Sequence, residues 1–167
     1  MLKILLPFIL MTTTLFSYEV KIGKKSKTEE QVTKSKKNIV FIRDGAKEIV
    51  IDKSRGLMWQ DSIDNKIIKK NRKDAKQYCR RLVFAGYDDW YLPNIKELKS
   101  ILDKDRRDPA IRKEFKNTKS YHYWSSSPNL SANIINVLNI DFKNGQSYKT
   151  NRRGRCHVRC VRGKYKL

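Results

Sequence analysis

Residues Gly86 to Pro93 read GYDDWYLP and lie between two segments of helical periodicity. This stretch combines a turn-forming glycine, two adjacent acids, a tryptophan and a proline. A loop that is fully surrounded by water does not need a tryptophan, so Trp90 predicts that the connection folds back onto a core. The stretch is more informative about fold than about activity, and no catalytic constellation stands beside it.

Both flanking segments carry helix signals. Before the stretch, Asn71 is a suitable N-cap and Gly86 is the expected helix end. The apolar positions of this first helix are Ala75, Tyr78, Cys79 and Leu82. After Pro93, Asn94 and Glu97 have the spacing of a capping box. The apolar face of this second helix consists of Ile95, Leu98, Ile101 and Leu102.

Strand signals lie on both sides of the helices. The runs are Asn38 to Arg43, Glu48 to Asp52, Leu57 to Trp59, Tyr121 to Ser126, Ile134 to Phe142, Gln146 to Thr150 and Cys156 to Arg162. The pairs Asp44-Gly45 and Asn144-Gly145 predict hairpin turns. Because first and last strands commonly pair in such domains, we predict an α+β fold. In it, two central helices pack on antiparallel strands from both ends of the chain.

Three segments are expected along the chain. Residues 1–17 have the charged, apolar and small-residue order of a signal peptide. The apolar run is shorter than the ~20 residues that cross a bilayer. Residues 18–37 hold seven lysines and three glutamates and predict a basic flexible linker. Residues 38–167 form the folded domain, and we expect an exported protein of the periplasm or the cell surface.

The chain is strongly basic, with a formal net charge of +21. Such a charge attracts polyanions, among them nucleic acid, anionic lipid, and acidic or sulfated glycans. Its 25 lysines against 13 arginines are also compatible with a compositional bias that serves no ligand.

The placement of the charges is more informative than their sum. From Lys149 to the end there are eight basic residues and no acid. The candidate anion ligands of this tail are Lys149, Arg152, Arg153, Arg155, Arg159 and Arg162. A second run, Lys66 to Arg81, holds eight basic residues and one acid. A solvated face explains either run alone, whereas folding them together would make a binding patch.

All three cysteines lie beyond the predicted leader. An oxidising compartment and the apolar position of Cys79 allow a bridge from the first helix to the closing strand. Cys156 and Cys160 are ~13 Å apart by strand rise, too far to pair with each other. One cysteine therefore remains free, and three unbridged thiols are the alternative.

No catalytic or metal-binding constellation is evident. His122 and His157 fall on strand patterns without a paired nucleophile or metal-ligand spacing. Asp88 and Asp89 are adjacent acids that can bind calcium, but acids of this kind also cap turns. We predict no enzyme activity, no cofactor and no metal.

Six ordered blocks together resemble the Lcl C-terminal domain family, named for a Legionella collagen-like surface protein. They are GLMWQ at Gly56 to Gln60, YC at Tyr78 and Cys79, GYDDWYLP, KEL at Lys96 to Leu98, YWSSS at Tyr123 to Ser127 and VRCVRG at Val158 to Gly163. The resemblance covers about Ile49 to Gly163. It implies a C-type-lectin-like fold, secretion or surface display, and a disulfide between Cys79 and Cys160. The resemblance also points to adhesion through sulfated glycosaminoglycans, which is the activity of the protein after which the family is named.

This sequence departs from the family pattern at three points. Tyr91 replaces the usual arginine of DWRLP, Cys156 is an extra cysteine, and no collagen-like tract is present. The expected function is an exported, non-catalytic, lectin-like module for anionic or sulfated glycans. One alternative is nucleic-acid binding, with Tyr148 or Tyr165 stacking on bases. Another is an envelope scaffold that contacts a protein or anionic lipid.

Overall fold

The fold is seen in a computed structural model, which describes residues 39–128 and 136–164. The predicted leader, the predicted linker and Tyr165 lie outside the described residues, as does the beginning of the predicted run Ile134 to Phe142. Among the described residues, no helix has the length and apolar character needed to cross a membrane.

The elements follow one another as three strands, a short helix, a strand, two helices and five strands. They are β1 (Phe41–Asp44), β2 (Ile49–Asp52), β3 (Leu57–Gln60), α1 (Asp64–Ile67), β4 (Lys69–Lys70), α2 (Arg72–Arg80), α3 (Ile95–Ser100), β5 (His122–Pro128), β6 (Asn136–Asp141), β7 (Gln146–Asn151), β8 (Cys156–His157) and β9 (Val161–Gly163). The chain is therefore mixed α+β, as predicted.

The first sheet has the order β1-β2-β3-β9, and all of its pairs are antiparallel. Its last pair joins a strand near the start of the domain to one near its end, with Trp59 opposite Val161. This confirms the predicted pairing of the two chain ends. Gly163 has a φ of +102°, and a Cβ there would lie 2.3 Å from the carbonyl oxygen of Gly56, so the close approach requires glycine.

The second sheet has the order β4-β8-β5-β6-β7. The predicted hairpin around Asn144-Gly145 joins β6 to β7 in antiparallel register. One pair differs from the prediction, because β8 runs parallel to β5, with Tyr123 opposite His157. Parallel strands need a long crossover, which the chain supplies between residues 128 and 156.

Both predicted helix starts are confirmed. The Asn71 side chain accepts a hydrogen bond from the Asp74 amide at 2.9 Å. Asn94 and Glu97 form the complete capping box, with bonds of 2.7 and 2.9 Å. α2 ends at Arg80 rather than at Gly86, because the Arg81 and Leu82 amides already make turn bonds back to the helix.

The GYDDWYLP connection packs onto the core, as Trp90 predicted. Trp90 is buried, and its indole N–H donates to the carbonyls of Phe84 and Tyr87. Tyr91 forms a two-bond bridge with Val161. Its hydroxyl, at the position of the family arginine, donates to Glu97 Oε1 at 2.8 Å. Burial, followed by the carboxylate of Glu97, raises the pKa of Tyr91.

The predicted closing strand, Cys156 to Arg162, is wrong in one respect. It is divided into β8 and β9, and residues 158–160 between them are not strand. Residues 156–161 are all buried, so this segment does not show the alternation of a buried and an exposed face that a half-exposed strand has. The break has a physical reason, since Cys160 is bonded to Cys79 and Arg159 turns into the core.

Candidate functional site

A groove with a cavity of about 560 Å³ lies between the start of α2 and the turn that follows β7. We call it the basic groove. It is lined by Asn71, Arg72, Lys73, Lys76, Arg152 and Arg153. Five of these six residues are cations, and none of the six is an acid. An acid lies next to this lining, since the Asp74 carboxylate accepts a hydrogen bond from the Asn71 side chain at 2.7 Å.

The two basic runs of the sequence meet in this groove because of strand pairing. β4 pairs with β8, which places Lys70 opposite Cys156 and brings the start of α2 beside the turn before β8. The Arg72 amide then donates to the Arg152 carbonyl at 3.1 Å. Segments eighty residues apart in sequence (152 minus 72) thus form two walls of one groove.

Arg72 is the fixed member of the groove. Its guanidinium donates to the carbonyls of Ser125 and Ser126 at 3.4 and 2.6 Å. Burial, followed by the charge of Arg152, lowers the pKa of Arg72. The smaller of these two causes, the nearby positive charge of Arg152, is one that a bound anion would relieve.

Arg72, Lys73 and Lys76 belong to the second basic run of the sequence, whose composition does not single them out as site residues. Their signal was the i, i+4 spacing of Arg72 and Lys76 behind an N-cap, which puts both on one side of α2. Which side faces the tail depends on the β4–β8 pairing, and two-residue strands leave little trace in a sequence.

Four of the six predicted anion ligands lie outside the groove lining, and three of these four reach the surface. Lys149 is exposed on β7, the edge strand of the second sheet. Arg155 is exposed and donates to the Lys69 carbonyl at 2.8 Å. Arg162 forms a two-bond ion pair with Asp89 and lies 3.6 Å from the centroid of the Tyr87 ring. Its hydrogen bond to Asp89 raises the pKa of Arg162, so its charge is already compensated.

Arg159 corrects the sequence prediction. It is 0% exposed, so it cannot act as a surface ligand for an anion. Its guanidinium donates to the carbonyls of Gln60 and Asn117, at 2.6 and 2.7 Å, and to Thr118 Oγ1 at 2.7 Å. Its Nη1 also lies 3.2 Å from Asp61 Oδ1 in a buried ion pair. The segment leaves the sheet after His157 and is buried, so Arg159 is not at the surface, as an anion ligand would have to be.

The cysteine pairing implied by the family resemblance is confirmed. Cys79 on α2 and Cys160 form a disulfide, with Cα atoms 5.4 Å apart. Cys156 is free and buried, so the alternative of three unbridged thiols is wrong. Burial raises the pKa of the Cys156 thiol to about 12.

Neither histidine stands in a reactive arrangement. His157 is buried, and neither ring nitrogen has a hydrogen-bond partner. Burial, with smaller contributions from Lys69 and Lys119, lowers the pKa of His157 to about 4. His122 is partly buried, and its Nδ1 lies 2.9 Å from Asn139 Oδ1. Within the described ranges, no group of three or more His, Cys, Asp and Glu residues is placed to hold a metal ion.

The chain matches a known protein family. The model of the Lcl C-terminal domain family matches residues 48–162, which is more than half of the chain. The match begins just before β2 and ends within β9, so it includes both walls of the basic groove and both disulfide cysteines. No curated protein matches the chain at a significant level.

Proposed function

This chain belongs to the Lcl C-terminal domain family, and we propose that it is an exported, non-catalytic binding module for anionic or sulfated glycans. We further propose that its α+β fold is C-type-lectin-like, with the pairing of β3 and β9 as the closure of the domain. The pairing of strands from both ends of the chain around two helices supports this assignment.

One observation carries the proposed function. Folding brings five cations from two distant segments into one groove, and no acid is among its six described lining residues. Like charges repel when they are brought together, so such a cluster costs free energy in the absence of a ligand. A ligand with several sulfates or carboxylates recovers that cost and engages planar arginine donors in paired hydrogen bonds.

The form of the site favours an extended polyanion over a small anion. The cavity of about 560 Å³ is larger than a single sulfate needs, and its cations come from both walls. The start of α2 also lies at the groove, where the helix dipole adds a partial positive charge. A polysaccharide with repeated acidic groups would therefore contact several cations at once.

Two observations support a role without catalysis. The Cys156 thiol is buried and has a raised pKa, so it is protonated rather than nucleophilic at neutral pH. His157 is next to it in sequence but is buried, and no hydrogen bond orients its ring. Neither residue is poised for proton transfer or nucleophilic attack.

The test is binding of the protein to heparin, duplex DNA and uncharged dextran over a salt series. The variant Arg152→Glu/Arg153→Glu should lower heparin affinity by about tenfold or more, since two favourable charges become repulsive. Arg106→Glu/Arg107→Glu is the matched control, because it reverses two adjacent exposed arginines outside the groove. Equal losses in both variants would show a response to net charge alone and would overturn the site.

The same experiment decides between ligand classes. Heparin binding that survives physiological salt and exceeds DNA binding supports the glycan proposal. Equal and steeply salt-dependent binding of both polymers would be the general attraction of a basic protein for polyanions. Tighter binding to DNA would replace the glycan by nucleic acid.

Export needs a separate measurement. The proposed leader predicts that the protein recovered from the periplasm or the medium begins after Ser17. Mass spectrometry of the intact protein identifies that terminus. Recovery only in the cytoplasm with residues 1–17 retained would contradict export without bearing on the groove.

A further inference from the structure

We propose that Tyr121, His122 and Tyr148 form a second subsite that stacks against a sugar ring of the same polysaccharide chain. We call these three residues the aromatic strip. The inference deepens the proposed function and rests on it, because it assigns the neutral part of a ligand whose charged groups occupy the basic groove.

The His122 ring contacts both tyrosine rings. His122 lies between the two tyrosines, with ring centroids 5.1 Å from Tyr121 and 5.3 Å from Tyr148. Both contacts are edge-to-face, the arrangement that aromatic pairs prefer. Tyr121 and Tyr148 are nevertheless 46% and 37% exposed, so neither residue is buried in the core.

Two of the three rings are also held in place by hydrogen bonds. His122 Nδ1 lies 2.9 Å from Asn139 Oδ1, and the Tyr148 hydroxyl accepts from the Asn144 side chain at 2.9 Å. Fixed aromatic rings bind at a low entropic cost, because few rotamers are lost when a ligand arrives. An exposed and ordered aromatic surface of this kind is typical of a recognition site.

The chemistry of the strip fits a pyranose ring. One face of many pyranoses presents C–H groups with a weak positive charge, which match the negative face of an aromatic ring. The hydroxyl, sulfate or carboxylate groups project from the edge of the sugar. A cation that could pair with such a group lies beside the strip, since Lys69 Nζ is 4.6 Å from the centroid of the Tyr121 ring.

The strip is connected to the basic groove by two routes. Along β7 and its turn, Tyr148 precedes Arg152 by four residues, which is ~13 Å by strand rise. On the other side, Arg155 follows Arg152 and Arg153 between β7 and β8 but lies outside the groove lining. Its guanidinium donates to the carbonyl of Lys69, whose side chain contacts the Tyr121 ring. A polysaccharide of several rings is long enough to contact both places at once.

The experiment compares heparin with poly(vinyl sulfonate), a polyanion without sugar rings. Tyr121→Ala/Tyr148→Ala should weaken heparin binding about five- to tenfold and leave poly(vinyl sulfonate) binding unchanged. Tyr121→Phe/Tyr148→Phe keeps the rings and should retain heparin affinity. Tyr87→Ala is the matched control, since Tyr87 is 38% exposed but stacks on Arg162 outside the strip. Thermal unfolding of each variant verifies its fold.

Two results would overturn the inference. Unchanged heparin affinity in the alanine variant would remove the strip from the site, and an equal loss for the ring-free polymer would mean an electrostatic or structural effect. Binding to single-stranded DNA is measured in parallel, and a loss confined to that polymer would assign the strip to bases rather than sugars. The groove is judged separately, because Arg152→Glu/Arg153→Glu must weaken both polymers for the proposed function to stand.

Discussion

The arginines of residues 152–159 have opposite roles in two regions of this domain. In the buried network of Arg43, Asp61 and Arg159, the protein itself supplies the partners for the charges. In the basic groove, Arg152 and Arg153 face other cations, and none of the described lining residues is acidic. The comparison shows that burial, rather than local sequence, separates an arginine that holds the fold from one that is available to a ligand.

Asp61 is the centre of the buried network. Its carboxylate is fully buried and accepts from the backbone amides of Lys116 and Asn117 at 2.9 and 3.0 Å. It also lies 3.2 Å from the guanidinium nitrogens of both Arg43 and Arg159. Removing a charged group from water is costly, so such a network is stable only while all members are present.

The largest effect is expected for Asp61→Asn. This change keeps the shape of the side chain but leaves the Arg159 charge uncompensated in the interior. It should lower the free energy of unfolding by about 3–5 kcal/mol, as measured by urea denaturation. The exposed Asp88→Asn is the control. A loss equal to that of the control would mean that the network contributes nothing to the fold.

The next effect concerns the covalent link between the regions. Cys79→Ala/Cys160→Ala removes a bond that spans 81 residues of sequence. The expected loss is about 2–5 kcal/mol, because the unfolded chain regains loop freedom. Thermal unfolding with and without reductant measures it. The reductant should shift the parent protein and leave the double variant unmoved, and a shift in both would point to another redox-sensitive group.

A smaller and pH-dependent effect is expected at His157. The folded state holds its pKa at about 4, below the ordinary 6.5. As the pH falls through this window, the unfolded chain takes up a proton that the folded protein excludes, so stability is lost. The loss attributable to this group should reach up to about 3 kcal/mol.

Urea denaturation between pH 7 and 4 tests the His157 prediction. Carboxylates titrate in the same window, so the test compares the parent with His157→Gln. The contribution of His157 is the part of the slope of unfolding free energy against pH that is lost in the variant. His122→Gln is the control, because that ring is partly exposed and hydrogen-bonded. Parallel slopes in the parent and in His157→Gln would refute the assignment.

The smallest effect on stability is expected in the groove itself. Arg152→Glu/Arg153→Glu should change the free energy of unfolding by less than about 0.5 kcal/mol, as is usual for exposed positions. Any change should favour the folded state, since the variant relieves repulsion with Arg72. Urea denaturation at low salt gives the most sensitive reading. A large destabilisation would show that these arginines hold the fold, and the contrast with Arg159 would disappear.

The sequence predicts those parts of the fold that are encoded locally. The two helix starts are predicted by their capping residues, Asn71 for the first and Asn94 with Glu97 for the second, because a cap acts within one turn of the chain. Trp90 likewise predicts that the connection between the two helices is buried. The parallel β5–β8 pair and the break after His157 were not predicted, because both depend on segments that meet only after folding.

The groove was predictable in its charge but not in its membership. Two basic runs indicated a patch, whereas selecting Arg72, Lys73 and Lys76 from one of them requires the register of β4 on β8. The error at Arg159 has the same origin. Its partner Asp61 is 98 residues away, and no nearby residue marks the position as buried.

The disulfide also determines how the domain would respond to mechanical force. When the two ends of the chain are pulled apart, tension passes through the Cys79–Cys160 bond and bypasses the residues between them. Strands β5 to β8, with Arg152 and Arg153, lie inside that closed loop, whereas the β3–β9 pair lies in the path of the load. Stretching would therefore separate the strands of the first sheet, while the groove wall that contains Arg152 and Arg153 carries no tension.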